Sequence, residues 1–109
     1  MTINRLERLL EFFKNEPNDP FLKYALATEY LRLNNTEEAL RFYLDLLDKH
    51  TDYIGTYYHL GKLYEQLGQQ DDALKVYEQG IEVGKRIKDQ HALNELLGAY
   101  NSLQDEMLD

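Results

Sequence analysis

The chain contains no cysteine, no tryptophan and only two prolines, and it sets twelve basic residues against twenty acidic ones. Each shortage removes a class of function. Without cysteine there is no disulfide framework, no thiolate nucleophile and no thiolate metal site. The net charge of −8 leaves no basic patch of the kind that phosphate-backbone binding needs, since counterions released by Lys and Arg contacts supply most of that affinity. Nucleic acid is therefore not expected as a partner, and a neutral or basic protein segment suits this field better. No run approaches the ~20 apolar residues that cross a bilayer, so membrane insertion is not expected either. Near the N-terminus Arg5, Glu7, Arg8 and Glu11 interrupt what would have to be the apolar core of a signal peptide. The segment reads instead as an amphipathic helix, and a cytoplasmic location is expected.

The acidic excess is uneven. Residues 88–109 hold one lysine, Lys88, against Asp89, Glu95, Asp105, Glu106 and Asp109, a balance of −4 that is half the total in a fifth of the chain.

Against these absences stands a repeat. Shifting the sequence by 34 residues brings Tyr24, Leu26, Tyr30, Leu33, Ala39, Leu40 and Tyr43 onto Tyr58, Leu60, Tyr64, Leu67, Ala73, Leu74 and Tyr77, all identical. Glu37, Glu38 and Arg41 become Asp71, Asp72 and Lys75, so the charges carry over too. A fixed period of this size marks a stacked-repeat architecture. The stretch Tyr57-x2-Leu60-Gly61-x2-Tyr64, followed by Gly68 and Ala73-x3-Tyr77, resembles the tetratricopeptide repeat, whose pattern is W-x2-L-G-x2-Y, then A-x3-F, then P. Lys23 and Tyr57 replace the family's Trp, Ala27 its first Gly, and Thr51 and Lys85 its closing Pro. The resemblance implies an all-α fold, a right-handed alpha-alpha superhelix built as a tetratricopeptide-like stack of six antiparallel helices. It covers residues 2–87 well and 88–109 loosely.

Taken in order, residues 2–15 place Ile3, Leu6, Leu9, Leu10 and Phe13 on one helical stripe, with Thr2 as N-cap and Pro17 closing the segment. This is a half repeat, 2–17. Repeat one spans 20–53: Asp19 caps a helix whose first residue is Pro20, Asn34-Asn35 ends it in a left-handed turn, and Thr36 caps its partner. Repeat two spans 54–87, with Asp52 as the cap of its first helix, Gly68 ending that helix and Gln70-Asp71-Asp72 opening the next. Small residues at Gly61 and Ala73 are expected to bring two backbones close, with Tyr64 and Tyr77 filling the space around them. Gly80 suggests another close approach, and Gly84 a looser or bent helix end. Lys88-Asp89-Gln90 makes a turn with Asp89 as cap. A closing helix at 89–107 follows, its stripe Ala92, Leu93, Leu96, Leu97, Tyr100, Leu103 and Met107 covering the open end of the array. The four segments compose a single helical-repeat domain, 1–109.

No constellation points to catalysis. Asp71-Asp72 and Glu37-Glu38 are adjacent on helices, so their side chains diverge by about 100° and cannot chelate as pairs. First-turn dipole compensation accounts for both. His50, His59 and His91 show no metal-ligand spacing, and no nucleophile neighbours His59. No metal, cofactor or enzymatic activity is expected. The nine tyrosines carry the functional signal, since tyrosine joins a rigid apolar body to a hydrogen-bonding tip and suits protein interfaces.

In the family that the chain resembles, the first helix of each repeat lines a concave groove for a partner segment. Carried onto this sequence, the groove displays Phe21, Tyr24, Thr28, Leu31 and Arg32 from one helix and Tyr58, Lys62, Glu65 and Gln66 from the next, with Tyr24 and Tyr58 one above the other. Some members grip a terminal carboxylate with Lys, Asn and Arg. Here Tyr24 and Thr28 occupy the first two of those places, so that recognition is not expected. The expected function is a protein-binding module or adaptor. The alternative is self-association into a homo-oligomer, suggested by Phe12 and Phe13, which adjoin on one helix and cannot both face a narrow core.

Overall fold

The computed structural model describes residues 4–109. All regular structure among them is helical: α1 (Arg5–Asn15), α2 (Pro20–Arg32), α3 (Thr36–Lys49), α4 (Gly55–Gln66), α5 (Gln70–Ile87) and α6 (Gln90–Met107). The chain divides into two compact units, one ending at His50 and one beginning at Thr51.

In the first unit α2 packs on both α1 and α3. Thr2 and Ile3, read as cap and first stripe residue, lie outside the described residues. The cap of α1 is Asn4, whose Oδ1 accepts from the Glu7 N–H at 2.8 Å. Asp19 caps α2 as its sequence suggests, accepting from the Phe21 N–H at 2.9 Å with Pro20 at the first helical position. The helix ends at Asn34, at φ 63°, where the Asn34 N–H reaches the Leu31 carbonyl and the Asn35 N–H the Tyr30 carbonyl, at 3.0 and 2.8 Å. These two bonds make a Schellman closure with Asn in the usual glycine place. Asn35 then turns its side chain onward and accepts from the Glu38 N–H at 3.2 Å. It, and not Thr36, is the cap of α3, because only its side chain lies outside the helix with a free first-turn donor in reach.

The core of this unit holds Leu22, Ala25, Leu26, Ala27, Ala39, Tyr43 and Leu46. Phe12 and Phe13 separate as required: Phe13 meets Phe42 edge-on at 5.5 Å, while Phe12 stays 60% exposed. Burial raises the pKa of the Tyr43 hydroxyl. Glu29 is buried against two arginines, Arg32 of its own helix and Arg5 of α1. The Arg32 guanidinium holds its carboxyl below the ordinary value despite burial.

In the second unit α5 packs on α4 and α6, and α4 also touches α6. α4 has no side-chain cap. Asp52, read as that cap, stands too far upstream of Gly55. Its carboxylate instead takes Arg86 of α5, at 2.6 and 3.3 Å. Gly68 ends α4 at φ 76°, with the same pair of closing bonds that Asn34 makes: Gly68 N–H to Glu65 and Gln69 N–H to Tyr64, at 3.0 and 2.9 Å. Asp89 caps α6, accepting from the Ala92 N–H at 3.0 Å.

Two glycines set the helix spacing. A Cβ on Gly61 would stand 2.1 Å from Tyr77 Cε1, and one on Gly80 would stand 2.5 Å from Tyr57 Cβ. Gly84 is less constrained, since its added Cβ would find Leu93 at an ordinary 3.5 Å. The α6 stripe is narrower than its apolar residues suggest. Leu96, Ala99 and Leu103 are buried, whereas Leu97 and Met107 are exposed. Ala92, Leu96, Ala99 and Leu103 follow the i, i+4, i+7, i+11 seam of a straight helix, and Leu97 falls one residue off it.

Candidate protein-binding surface

The nine residues read as a partner-binding groove fall on two helices, five on α2 and four on α4. On α2, Phe21 is 59% exposed, Tyr24 and Leu31 are half-buried, and Thr28 and Arg32 are exposed. Their spacing of three, four, three and one places them along one side of the helix. Tyr24 rests edge-on against buried Tyr43 at 6.4 Å, so its ring orientation is set from below. Thr28 turns its hydroxyl inward and donates to the Tyr24 carbonyl at 3.0 Å. Arg32 is committed within its own helix, its Nε 3.0 Å and its Nη2 2.5 Å from the Glu29 carboxylate. That partner raises the pKa of its guanidinium.

On α4, Tyr58, Lys62 and Glu65 are half-buried and Gln66 exposed. The Lys62 ammonium lies 5.6 Å from the centre of the Tyr58 ring, within the range of a cation–π contact, and 3.8 Å from Glu65 Oε2. The same Glu65 oxygen accepts from the Tyr77 hydroxyl at 2.5 Å. Burial, with Glu65 beside it, pushes the pKa of the Tyr77 hydroxyl far up, so the phenol keeps its proton and acts as the donor. Tyr77 of α5 thus anchors Glu65, Glu65 restrains Lys62, and Lys62 covers Tyr58. A restrained aromatic ring, a cation and a carboxylate form a surface that loses little side-chain freedom when a partner binds.

Several polar contacts lay beyond the sequence reading. Asp52 and Arg86 stand one period of 34 residues apart, and that period is a usable signal, because equivalent residues of successive repeats are neighbours. Lys23, in the family's Trp position, is buried, its Nζ 2.6 Å from Asp45 and 3.1 Å from His50 Nε2. Its register with that Trp and with Tyr57 points to a buried place, whereas its residue type does not. Among the described residues no three His, Asp or Glu come together as a metal-holding group. No described helix is long and apolar enough to cross a membrane.

Comparison with known proteins agrees with this geometry. Residues 54–83 match the family model described as tetratricopeptide repeat. A crystal structure of a tetratricopeptide repeat domain protein from Salinibacter ruber is 48% identical, aligns with 79% of this chain and 97% of its own, and superposes with a TM-score of 0.76. A solution structure of a Bordetella parapertussis protein reaches a TM-score of 0.81 over 96% of this chain and 91% of its own at 23% identity, which speaks to the fold alone. A TPR repeat-containing protein of Methanocaldococcus jannaschii is 40% identical over 62 residues, 55% of this chain, and the chain spans 19% of that protein's length. The 34-residue period, the glycine-mediated approach of α4 and α5, and these likenesses place the chain in the tetratricopeptide repeat family.

Proposed function

We propose that the chain is an adaptor that receives a peptide or helical segment of another protein on the exposed side of α4. Tetratricopeptide repeats are in general protein–protein interaction modules and non-catalytic scaffolds. The observation that carries the reading is the restrained Tyr58–Lys62–Glu65 surface, held from beneath by Tyr77. A half-buried aromatic ring beside both charge signs suits a segment with an apolar anchor and flanking polar groups. With −8 overall, a neutral or basic segment is favoured, and the setting consistent with the composition is the cytoplasm.

The test is an affinity capture from native extract comparing wild type with Tyr58→Ala/Lys62→Glu, followed by titration of whatever wild type alone retains. Loss of such an anchor costs about 2 kcal/mol, a drop of roughly thirtyfold in affinity. The variant keeps its helical CD spectrum, because neither side chain is in the core. Equal loss of fold and binding defeats the assignment.

A second reading, self-association into a homo-oligomer, is favoured by the exposure of Phe12 on α1. Light scattering of wild type and Phe12→Ser at high concentration decides it, with a monomer mass for both removing self-association.

A further inference from the structure

Within the first unit, α1, α2 and α3 enclose an open cleft of about 420 Å³, in the size range of ligand sites. Phe13, Pro17 and Phe42 form an apolar wall. Lys23, Arg41 and Lys49 bring three cations to the same cleft against one carboxylate, Asp45. Arg41, Asp45 and Lys49 follow one another at intervals of four along α3 and so share a face.

Asp45 is divided between two ammonium groups, with Oδ2 2.6 Å from Lys23 and Oδ1 2.9 Å from Lys49. Burial alone would raise its carboxyl, yet the two lysines hold it below the ordinary aspartate value. Lys23 is only 3% exposed, and its ammonium has three protons to place. Asp45 takes one and His50 Nε2, at 3.1 Å, another. The third has no side-chain partner among the described residues, although buried donors are nearly always satisfied. Arg41 stands at the mouth, 74% exposed, with only a long 3.5 Å contact to Glu38.

The fold does not require these charges. Tyr57, Gln79 and Val83 stand at the equivalent places of the second repeat, where α4 and α5 pack with Tyr57 buried. An ion pair buried for structure alone does no better than a packed apolar side chain.

We propose that this cleft is a second recognition site, for an acidic peptide segment. Such a segment sets a carboxylate among Arg41, Lys49 and the third Lys23 donor and lays a large apolar side chain on Phe13 and Phe42. Charge complementarity selects the acidic group, and the aromatic wall selects a peptide over a free anion. The site is built chiefly from α3, so it goes beyond the surface on α4 and stands or falls separately from it.

The probe is the blocked pentapeptide Asp-Glu-Phe-Asp-Glu carrying fluorescein, titrated with the full chain by polarisation at low and high salt, with amide shifts followed by NMR. The expected result is saturable binding that weakens with salt and moves the Phe13, Lys23 and Phe42 amides. Arg41→Gln/Lys49→Gln, both exposed, loses at least about tenfold in affinity with an unchanged CD spectrum. The peptides Asn-Gln-Phe-Asn-Gln and Asp-Glu-Ala-Asp-Glu each bind at least about tenfold more weakly. Absence of saturable binding, equal affinity of the double variant, or shifts confined to α4 overturns the proposal. A rise in mass with concentration that the double variant abolishes overturns it too, in favour of a second copy of the chain as occupant.

Discussion

Gly80→Ala tests the packing argument where the added methyl would meet an atom fixed to a neighbouring backbone. The added methyl would lie 2.5 Å from Tyr57 Cβ, 2.9 Å from its Cγ and 3.0 Å from Leu96 Cδ1, where carbon atoms normally keep about 3.5–4.0 Å. Tyr57 Cβ is fixed to the backbone of α4, so no rotamer change relieves the contact. α4 and α5 must separate by about 1 Å, which loosens Leu96 against both helices. Overpacking of this kind costs about 1–3 kcal/mol. Ala gains about 1 kcal/mol over Gly in a helix interior. The net expectation is a loss of about 0–2 kcal/mol, lowering the melting temperature by about 4–8 °C per kcal/mol. Gly84→Ala supplies the control on the same helix. It makes the same propensity gain, its nearest neighbour lies at 3.5 Å, and it is expected to stabilise by about 0.5–1 kcal/mol. Urea unfolding followed by CD reads both. Tyr57→Gly in the Gly80→Ala background removes the contacted Cβ and isolates the clash, with a coupling energy of about 1 kcal/mol or more. Gly80→Ala as stabilising as Gly84→Ala refutes the reasoning.

Three further outcomes follow from individual residues. Thr56 is fully buried and its Oγ1 has no hydrogen-bond partner among the described residues; Thr56→Val keeps the shape, removes the unpaired group and is expected to add about 1 kcal/mol in the same unfolding assay. Asn34 holds φ 63°, so Asn34→Ala is expected to cost about 1 kcal/mol and Asn34→Gly nothing measurable. Arg86 holds the Asp52 carboxyl below the ordinary aspartate value of 3.8. A depressed carboxylate contributes stability that is present above 3.8 and is lost as pH falls through the lower folded value. An NMR titration should therefore show Asp52 protonating below pH 3.8 in wild type. In Arg86→Ala its midpoint should move up toward that value, and an unmoved midpoint removes the pair from the account.

Much of the proposed binding surface was readable only in outline. Tyr24, Thr28 and Leu31 lie on one helix and Tyr58, Lys62, Glu65 and Gln66 on another, as their spacing indicates. That Glu65 is held by Tyr77 and Arg32 by Glu29 was not readable, because hydrogen-bond choice among several acceptors depends on side-chain geometry. The burial of Lys23 was hidden by its residue type for a related reason. A lysine in a helix normally signals solvent, and only Asp45 and His50, both more than twenty residues away, make its burial tolerable.

Helix ends belong to the sequence itself. Asp19-Pro20, Asn34, Gly68 and Asp89 act through their own φ preferences and through N–H groups two to six residues away, so their effect needs no knowledge of the rest of the chain. Gly61 likewise marks where α4 and α5 meet, since it and Tyr77 can approach only if the first has no side chain. Tertiary structure alone decided that Asp52 pairs with Arg86 instead of capping α4, and that Asp45 is shared by Lys23 and Lys49. Those outcomes depend on where a second helix places its side chains, and packing across more than twenty residues selects among local options of nearly equal energy.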